Sequence, residues 1–551
     1  MKKKSKFIFV VGGVMSGVGK GVSTASIGKL LQSCGLNVTA IKVDPYVNVD
    51  AGTMNPTEHG EVFVLNDGYE CDQDMGNYER FLGVTLPSDN YMTTGRVYES
   101  VIGKERNLEY KGKCVQVVPH IPLEIIRRIE KASKKADADV TIIEIGGTVG
   151  EYENILFLEA SRMMKMNSPQ DVITVMVSYI PTPKKVGEMK TKPTQHAVRT
   201  LNSAGVQPDI IIARSDVALD EKRKEKIAMH CNIPSENVIS APDIESIYDV
   251  PINFEKDNVS KIILNKLDVK GKIDSKEGLK DWEKLTKKIK KAKDEVNIAI
   301  VGKYFDTGDF VLSDSYISVI EAVKFSAYKL NKKPKIHWIN SKDFSGKNAD
   351  LKSLKKYDGI LVPGGFGESG IEGKLKVIQY ARENKIPYFG ICYGMQLAVI
   401  EYVRNVLGIK NANTVEIDEK TKDQVIGIIE NQKEKMKNKE YGGSMRLGAY
   451  PAILKKGSIA QKAYGLNEIK ERHRHRFEVN PDYIDQITEG GMIFSGVSPD
   501  EKLMEIVELP KEKHPFFLAV QFHPEFKASP LNPHPLFTEF IKASLKKKTK
   551  V

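Results

Sequence analysis

Apolar residues in this chain fall into short runs separated by amphipathic stretches, which is the pattern of an α/β protein. Runs of strand composition occur at 7–11, 37–43, 140–145 and 172–179, and a helical pattern at 22–31 separates the first two. A strand, a helix and a second strand in this order predict a βαβ unit and therefore a parallel sheet. The first half of the chain is thus predicted to be a doubly wound α/β domain.

Two further strands are predicted in this half, at 115–118 and 209–213. The first leads through Pro119 into a stretch at 121–129 whose apolar residues recur every three to four positions. That period predicts a helix packed on the sheet.

A second α/β pattern begins at 296–302 and continues with strands at 359–362 and 387–391. Between the two patterns, residues 270–294 are polar and rich in lysine, which is typical of an interdomain linker. We therefore predict a first domain over 1–269, a linker over 270–294 and a second domain over 295–545. Both domains are expected to be three-layered α/β/α folds.

Composition narrows the class of protein without naming a function. The net charge of +11 suits anionic ligands such as nucleotides, but no basic stripe is interleaved with aromatic residues, so nucleic-acid binding is not predicted. No apolar run reaches transmembrane length and no signal peptide precedes the first strand, so we expect a cytoplasmic protein without a membrane partner. Widely spaced cysteines without a CxxC pair predict a reducing compartment and no disulfide framework. They are Cys34, Cys71, Cys114, Cys231 and Cys392.

The first strand runs into a glycine-rich turn that precedes a helix. Backbone N–H groups and the positive end of the helix dipole would meet there, and Lys20 would add a cation for a phosphate. The match to the standard phosphate loop is imperfect, because five residues separate Gly13 from Gly19 and Gly21 stands where serine or threonine would hold magnesium. The alternative is an ordinary strand–helix turn.

Three acidic residues are candidates for a magnesium site. Asp72 and Asp74 lie in a long Gly- and Asp-rich segment, and Glu144 ends a buried strand. Carboxylate oxygens are the ligands that magnesium prefers, and a carboxylate at a strand end beside a phosphate loop is well placed for a nucleotide's metal. The alternative for the aspartates is a solvated acidic turn. Residues 190–195 could bind an anion, or could be an exposed lysine pair.

Cys392 sits between two glycines, at the point where a strand turns sharply into a helix. This pattern predicts a nucleophile elbow, in which the positive end of the helix dipole favours the thiolate. A buried inert cysteine is the alternative. His523 and Glu525 near the C-terminus supply a base and a group to orient it, and the glycines at 364–365 could donate N–H groups to an oxyanion.

These motifs together resemble the CTP synthase family over nearly the whole chain. The C-terminal half is similar to class I (triad) glutamine amidotransferases in general. The N-terminal half narrows the resemblance through the motifs at 44–50, 59–64, 144–150 and 190–195. The resemblance implies a dethiobiotin-synthetase-like first domain and a flavodoxin-like second domain.

The resemblance also implies a reaction in three steps. Cys392 attacks glutamine and releases ammonia, ATP phosphorylates O4 of UTP, and ammonia reaching the second site by an internal passage displaces the phosphate to give CTP. Mg²⁺ accompanies ATP, no organic prosthetic group is needed, GTP activates and CTP inhibits. Family members are homotetramers built as dimers of dimers, and some form filaments.

Site residues carry over from the family position by position. The implied ATP site comprises Ser16, Gly17, Val18, Gly19, Lys20, Gly21, Lys42, Asp74 and Arg214. The implied UTP and CTP site comprises Ser16, Gln116, Thr148, Glu151, Glu153, Lys190, Lys192, Gln195 and Lys226. The implied glutamine site comprises Gly364, Gly365, Tyr393, Gln396, Glu416 and Arg476. Arg446 matches the lid through which GTP acts, and Asp74 and Glu144 match the magnesium ligands, with Asp72 nearby.

Departures from the family pattern concern nucleotide affinity. Asn77 replaces a common histidine and Glu151 a common aspartate. Rival interpretations are another ligase on this scaffold, such as dethiobiotin or cobyrinic acid amide synthase, a partition-type ATPase, and a catalytically idle filament scaffold. The partition ATPase has no use for Cys392, and the idle scaffold conflicts with an intact catalytic set.

Overall fold

The computed structural model describes residues 5–185, 187–302, 313–365, 370–429, 432 and 442–548 of the chain. The strands in chain order are β1 Lys6–Gly13, β2 Val38–Asp44, β3 Val62–Val64, β4 Glu70–Asp72, β5 Tyr91–Thr93, β6 Val140–Ile145, β7 Val172–Tyr179, β8 Ile210–Ser215, β9 Val238–Pro242, β10 Glu295–Gly302, β11 Lys333–Asn340, β12 Gly359–Val362, β13 Tyr388–Ile391, β14 Asn413–Thr414, β15 Gln424–Ile428, β16 Arg446–Leu454, β17 Glu468–His475, β18 Phe477–Val479, β19 Ile493–Val497, β20 Met504–Glu508 and β21 Phe517–Val520.

The α-helices in chain order are α1 Lys20–Ser33, α2 Pro56–His59, α3 Asp74–Leu82, α4 Thr94–Arg106, α5 Val117–Lys135, α6 Ile155–Asn167, α7 Lys192–Ser203, α8 Glu221–Cys231, α9 Val250–Lys256, α10 Val259–Lys266, α11 Ser275–Gly278, α12 Lys280–Lys291, α13 Ile317–Lys329, α14 Ile371–Glu383, α15 Tyr393–Asn405, α16 Ile459–Tyr464, α17 Ile484–Glu489 and α18 Pro535–Lys548. None of the helices in the described ranges is long and apolar enough to cross a membrane.

Two compact units make up the described chain. One contains the residues up to Asp50 together with Asp74–Thr286, and the other contains Ala51–Gln73 together with the residues from Lys287 onward. A short segment from the first half of the sequence, with the hairpin β3–β4, therefore belongs to the second unit.

The first unit is built on a seven-stranded parallel sheet in the order β5-β2-β6-β1-β7-β8-β9. Apolar residues of the sheet pack on one face against α5, α6, α7 and α8. On the other face α1 packs with α3 and α9. The predicted α/β architecture is confirmed. Because β2, β6 and β1 are neighbours, the residues at their carboxyl ends share one edge of the sheet.

The predicted strand at 115–118 is wrong. The edge strand is β5, which pairs with β2, while Val117 begins helix α5 and is half exposed. Pro119 lacks an N–H group and would break a sheet ladder there, whereas the first turn of a helix accepts it.

Residues 270–294, predicted as a linker, contain α11 and α12. Trp282 of α12 is buried, lies 5.2 Å from Phe81 between ring centroids, and donates through Nε1 to the carbonyl of Tyr248 at 2.7 Å. This part of the segment is therefore packed. The domain boundaries drawn from the sequence stay a prediction.

The second unit is built on a nine-stranded mixed sheet in the order β11-β10-β12-β13-β21-β20-β19-β16-β17. The first five strands are parallel and the remaining four antiparallel. Helices α14 and α15 pack on one face. On the other, Phe389 of β13 meets Phe537 and Phe540 of α18. This arrangement places the ends of β13 and β21 side by side.

Candidate active sites

The turn at Cys392 has the geometry of a nucleophile elbow. Cys392 follows β13 with φ at 51° and ψ at −103°, and α15 begins at the next residue. Its N–H donates to the carbonyl of Val520 at 2.6 Å. A Cβ at Gly394 would lie 2.2 Å from the carbonyl oxygen of Val362, so only glycine fits there. Backbone strain of this kind at one residue is typical of a functional turn.

His523 and Glu525 come to this elbow from the end of the neighbouring strand β21. The Nδ1 atom of His523 lies 2.7 Å from Oε1 of Glu525, and both side chains are buried. A Cβ at Gly364 would lie 3.0 Å from Cε1 of His523 and 3.6 Å from Cβ of Cys392. The structure therefore brings the three predicted catalytic residues and Gly364 together.

Electrostatics favours a protonated imidazole beside the thiol. Burial lowers the pKa of His523, but the charges of Glu525 and of the Cys392 thiolate outweigh it and raise that pKa to about 10. Because Nδ1–H donates to Glu525, the remaining proton sits on Nε2. The described residues offer Nε2 no nitrogen or oxygen partner. This arrangement can hold a thiolate–imidazolium pair.

A small cavity of about 70 Å³ opens in front of Cys392. Its walls include Gly364, Gly365, Glu61, Val62 and Arg474. The two glycines come directly after β12 and Pro363, where their backbone amides can face an oxyanion. Sequence reasoning missed both Glu61, which directly precedes β3, and Arg474, which lies in β17.

The residues predicted to bind the substrate glutamine differ in burial and in their hydrogen-bond partners. Gln396, one turn into α15, donates to the carbonyl of Phe477 at 3.0 Å and to Oε1 of Gln521 at 3.2 Å. The side-chain amide oxygen of Gln396, Oε1, is buried and has no hydrogen-bond partner in the part of the chain that is described. Tyr393 is buried at the start of α15, Glu416 is half-buried after β14, and the half-buried Arg476 donates to Oγ of Ser444 at 2.9 Å.

A second candidate site lies at the edge of the parallel sheet in the first unit. The loop after β1 turns through Gly17 at φ 71° and Gly19 at φ 89°, and residues 14–17 are exposed. Lys20 begins α1, and its ammonium donates to the carbonyl of Gly147 at 2.8 Å. Burial lowers the pKa of Lys20. The loop therefore presents both the backbone and the cation that a phosphate needs.

Lys42 joins the two predicted magnesium ligands. Its Nζ lies 2.5 Å from Asp74 and 3.2 Å from Glu144. Burial and the neighbouring Asp74 raise the pKa of Glu144, although Lys42 opposes them. Burial also raises the pKa of Asp74, but Lys42 outweighs that effect and leaves it low.

The carboxylate of Asp74 occupies the space beside Gly21. A Cβ at Gly21 would lie 2.0 Å from Oδ1 of Asp74. The aspartate thus stands where the serine or threonine of a standard phosphate loop would be. Asp72, at the end of β4, belongs to the second unit. The described residues contain no group of three or more His, Cys, Asp or Glu side chains arranged for a metal.

A cavity of about 380 Å³ adjoins the loop in the first unit. Its walls include Gly19, Arg214, Pro242, Ile247 and Phe254. Arg214 spans the wall by donating to the carbonyl of Pro242 at 3.3 Å and to Asp243 at 2.8 Å. Gly19 and Arg214 were predicted, whereas the apolar side chains were missed because they come from the region after β9.

The residues predicted to bind UTP come from several elements of the first unit. Thr148 donates to Glu151 after β6, with Glu153 exposed nearby in sequence. Lys190 lies 2.6 Å from Glu188, whose pKa is lowered first by Lys190 and then by Arg223 and Lys226. Gln116 is exposed before α5, Lys192 begins α7, and Gln195 donates to Thr191 at 3.1 Å. Sequence reasoning missed Arg223.

Arg446 begins strand β16, directly after the glycine-rich segment in which it was predicted. Its guanidinium donates to Glu505 at 2.7 Å and to Glu478 at 3.1 Å, and it lies 4.7 Å from the ring centroid of Tyr450. The side chain is only 10 % exposed. The structure thus places it in a buried ion-pair network, and its role toward GTP stays a prediction.

Family comparisons agree with this geometry. The model of the CTP synthase N-terminus matches residues 6–269, and that of class-I glutamine amidotransferases matches residues 311–543. The chain is therefore a class I glutamine amidotransferase fused to a synthetase.

Similarity to full-length relatives assigns the chain to one family. The chain is 49 % identical to a CTP synthase of Thermococcus gammatolerans over 99 % of both chains. It is 48 % identical to a CTP synthase of Methanococcus maripaludis, over 98 % of this chain and 100 % of the relative. A solved Trypanosoma brucei glutaminase domain with bound acivicin is 40 % identical, covers 46 % of this chain and 94 % of its own, and has a TM-score of 0.42. This protein belongs to the CTP synthase family.

Proposed function

We propose that this protein makes CTP from UTP, ATP and glutamine, with Cys392, His523 and Glu525 releasing ammonia in the second unit. The preassembled cysteine elbow and histidine–carboxylate pair carry the proposal, within a chain that matches CTP synthases end to end. A partition-type ATPase would have no use for this triad.

In the first half-reaction, the Cys392 thiolate attacks the amide carbon of glutamine. The N–H groups of Gly364 and Gly365 are placed to stabilise the resulting oxyanion. His523 gives its Nε2 proton to the departing nitrogen, so that ammonia leaves and a glutamyl thioester remains. His523 then takes a proton from water, which hydrolyses the thioester to glutamate and regenerates Cys392.

In the second half-reaction, O4 of UTP attacks the γ-phosphoryl group of ATP and ADP leaves. Ammonia then adds at C4, loses a proton and displaces phosphate to give CTP. Lys20 and the loop amides bind the phosphates of ATP. The cavity beside Gly19 and Arg214 has the size and apolar lining for the adenine base.

Asp74 and Glu144 fit a magnesium ion, because both present hard oxygen ligands beside the phosphate loop. Bound with ATP, the ion would neutralise charge on the transferring phosphoryl group. Lys42 lies between the two carboxylates and offsets part of their charge.

We also propose a homotetramer in which neighbouring subunits complete the UTP site. Large apolar side chains are exposed beside the predicted UTP residues: Val117 and Val118 follow Gln116, and Tyr152, 93 % exposed, separates Glu151 from Glu153. Exposed patches of this kind mark association surfaces. Activation by GTP, inhibition by CTP and a cytoplasmic location complete the proposal.

The decisive experiment is to follow CTP formation by ultraviolet absorbance with UTP, ATP, Mg²⁺ and glutamine, with and without GTP. We expect CTP to form only when all substrates are present. Ammonium should be able to replace glutamine as the nitrogen source. ATP hydrolysis that does not require UTP would contradict the proposal and favour a partition-type ATPase.

A further inference from the structure

The imidazole of His523 is held from two directions. Glu525 accepts the hydrogen bond of Nδ1–H in the plane of the ring. Phe526 stacks on the face of the ring, with centroids 5.0 Å apart and planes 13° from parallel. A carboxylate on one nitrogen fixes the rotation of the ring in its plane but leaves its tilt free, whereas a stacked ring fixes the tilt.

Phe526 is in turn held by the hairpin β3–β4. The ring of Phe63, in β3, meets that of Phe526 edge to face at 5.0 Å. Both rings are buried. The contact joins residues that belong to the same compact unit but are far apart in sequence.

Arg472 of β17 connects the same elements. Its side chain, in a residue 1 % exposed, donates to Asn66 at 2.6 Å, to the carbonyl of Val64 at 3.1 Å and to the carbonyl of Phe526 at 3.4 Å. The guanidinium lies 5.3 Å from the ring centroid of Phe63. Arginine can do this because its donors form a rigid planar fork.

The backbone of Arg472 holds the histidine itself. The N–H of His523 donates to the carbonyl of Arg472 at 2.7 Å. One residue therefore contacts the main chain of the catalytic base through its own main chain, and through its side chain it contacts the backbone of Phe526, whose ring stacks on that base. A buried guanidinium requires such partners, so the positions of its neighbours are coupled.

Two further contacts anchor the hairpin segment in the second unit. Arg474 donates to Glu70 of β4 at 2.8 Å, and Glu61 accepts from the N–H of Ser318 at 3.2 Å. Arg474 and Arg472 are two residues apart on β17 and both contact β3–β4 residues, as side chains on one face of a strand do. The carbonyl of Arg474 lies 3.7 Å from Sγ of Cys392.

From these contacts we propose that Arg472, Phe63 and Phe526 form a histidine clamp, a set of positioning residues that fixes the tilt of His523 for proton transfer. The hairpin β3–β4 is then a working part of the glutaminase centre, although in sequence it lies within the synthetase half. The inference rests on the proposed glutaminase function. Misplacing a catalytic group by about 1 Å can cost on the order of 100-fold in rate.

The test compares Arg472→Gln, Phe63→Leu and Phe526→Leu with the wild type, all in the full-length protein. We expect kcat for glutamine hydrolysis to fall by about 10- to 100-fold with KM little changed, because the base and not the substrate pocket is displaced. Ammonia-dependent CTP synthesis should stay at the wild-type level. Alkylation of Cys392 by iodoacetamide should shift to higher pH, because a tilted imidazolium stabilises the thiolate less.

Matched controls separate positioning from stability. Arg382→Gln removes another ion-paired arginine, 15 % exposed, which lies 2.7 Å from the buried Glu401, and should lower the melting temperature without changing the alkylation profile. Phe526→Tyr keeps the stacked ring and should retain activity. If Phe526→Leu fails to fold, Phe526→Tyr still tests whether the stacked ring is sufficient. A wild-type alkylation profile in Arg472→Gln and Phe63→Leu, or a loss of rate in Phe526→Tyr equal to that in Phe526→Leu, would overturn the clamp.

Failure of the proposed function gives a different result. Wild-type protein that does not hydrolyse glutamine, or a Cys392→Ala variant that still does, contradicts the proposed function itself. Active wild-type protein with unaffected clamp variants contradicts only the clamp.

Discussion

The two candidate sites are organised differently. In the second unit, Nδ1 of His523 lies 2.7 Å from Glu525, and the strained turn at Cys392 brings the thiol to the same small cavity. In the first unit, the proposed nucleotide-binding groups contact one another or the backbone: Lys42 lies between Asp74 and Glu144, and Lys20 donates to the carbonyl of Gly147. The proposed glutaminase site is thus built on one strained turn and one histidine–carboxylate pair, whereas the proposed phosphate site is built on a network of buried ion pairs.

This difference follows from what each site must hold. A thiolate and an imidazolium neutralise each other, so a buried triad of this kind needs no further charge. Two buried carboxylates repel each other, and they need a nearby cation. Lys42 is such a cation, 2.5 Å from Asp74 and 3.2 Å from Glu144.

The largest expected effect is that of Cys392→Ala, which should inactivate the glutaminase site and leave the phosphate site active. Without the thiolate no thioester forms, and we expect glutamine-dependent CTP synthesis to fall by at least about 1,000-fold. Ammonium at raised pH should restore synthesis to within a few-fold of wild type, because the phosphate site is untouched. Both activities should be measured at saturating ATP and UTP. Residual glutamine-driven synthesis near wild type would contradict the two-site scheme.

Three single variants should each inactivate the phosphate site: Lys20→Ala, Asp74→Ala and Glu144→Ala. Each removes a charge that serves phosphoryl transfer, so CTP formation should drop by about 100-fold or more with either glutamine or ammonium. Hydrolysis of glutamine measured without nucleotides should persist at the basal wild-type rate. A variant that keeps normal ammonia-dependent synthesis would remove its residue from the proposed site.

The triad could be predicted from the sequence because its signals are local. An elbow needs glycines on both sides of one cysteine, and His523 and Glu525 lie two positions apart after a buried strand. Parallel-sheet topology likewise brings together β-strand ends whose residues, such as Lys42 and Glu144, are recognisable one by one.

The histidine clamp could not be predicted in this way. Arg472 and Val64 are 408 positions apart, and nothing in either stretch indicates that the hairpin packs in the second unit. Arg446 shows a related limit. The resemblance implied that it belongs to a lid, but nothing in the sequence indicated that two buried carboxylates, 32 and 59 positions away, bind its side chain.

Arg446→Ala extends the comparison of the two sites to a buried charge that lies in neither of them. Loss of the guanidinium leaves Glu478 and Glu505 buried without their cation, which we expect to cost about 3–5 kcal/mol of unfolding free energy. GTP activation of the glutamine reaction should weaken several-fold, with ammonia-dependent synthesis largely intact. The control is Arg382→Gln, which should lose stability but keep the wild-type GTP curve. An unchanged GTP curve in Arg446→Ala would contradict the lid assignment.

The smallest expected effect is a pH dependence specific to the preorganised site. The pKa of His523 is raised from 6.5 to about 10 in the folded protein, chiefly by Glu525 and Cys392 acting against burial. A raised pKa stabilises the fold fully below pH 6.5, and that contribution is lost as the pH rises through about 10. Glu525→Gln removes the largest of the raising charges and with it much of this contribution.

We therefore expect the wild type to melt at a higher temperature than Glu525→Gln near pH 7, and the difference to close by pH 10.5. At this chain length each kcal/mol shifts the melting temperature by about 1 °C. Glu383→Gln makes the same change of charge on an exposed residue and should show no such trend. Melting curves of the three proteins across this range, recorded without ligands, make the test. A gap between wild type and Glu525→Gln that stays constant to pH 10.5 would mean that His523 does not carry its proton through this range, and the thiolate–imidazolium pair would have to be replaced by a neutral thiol and imidazole.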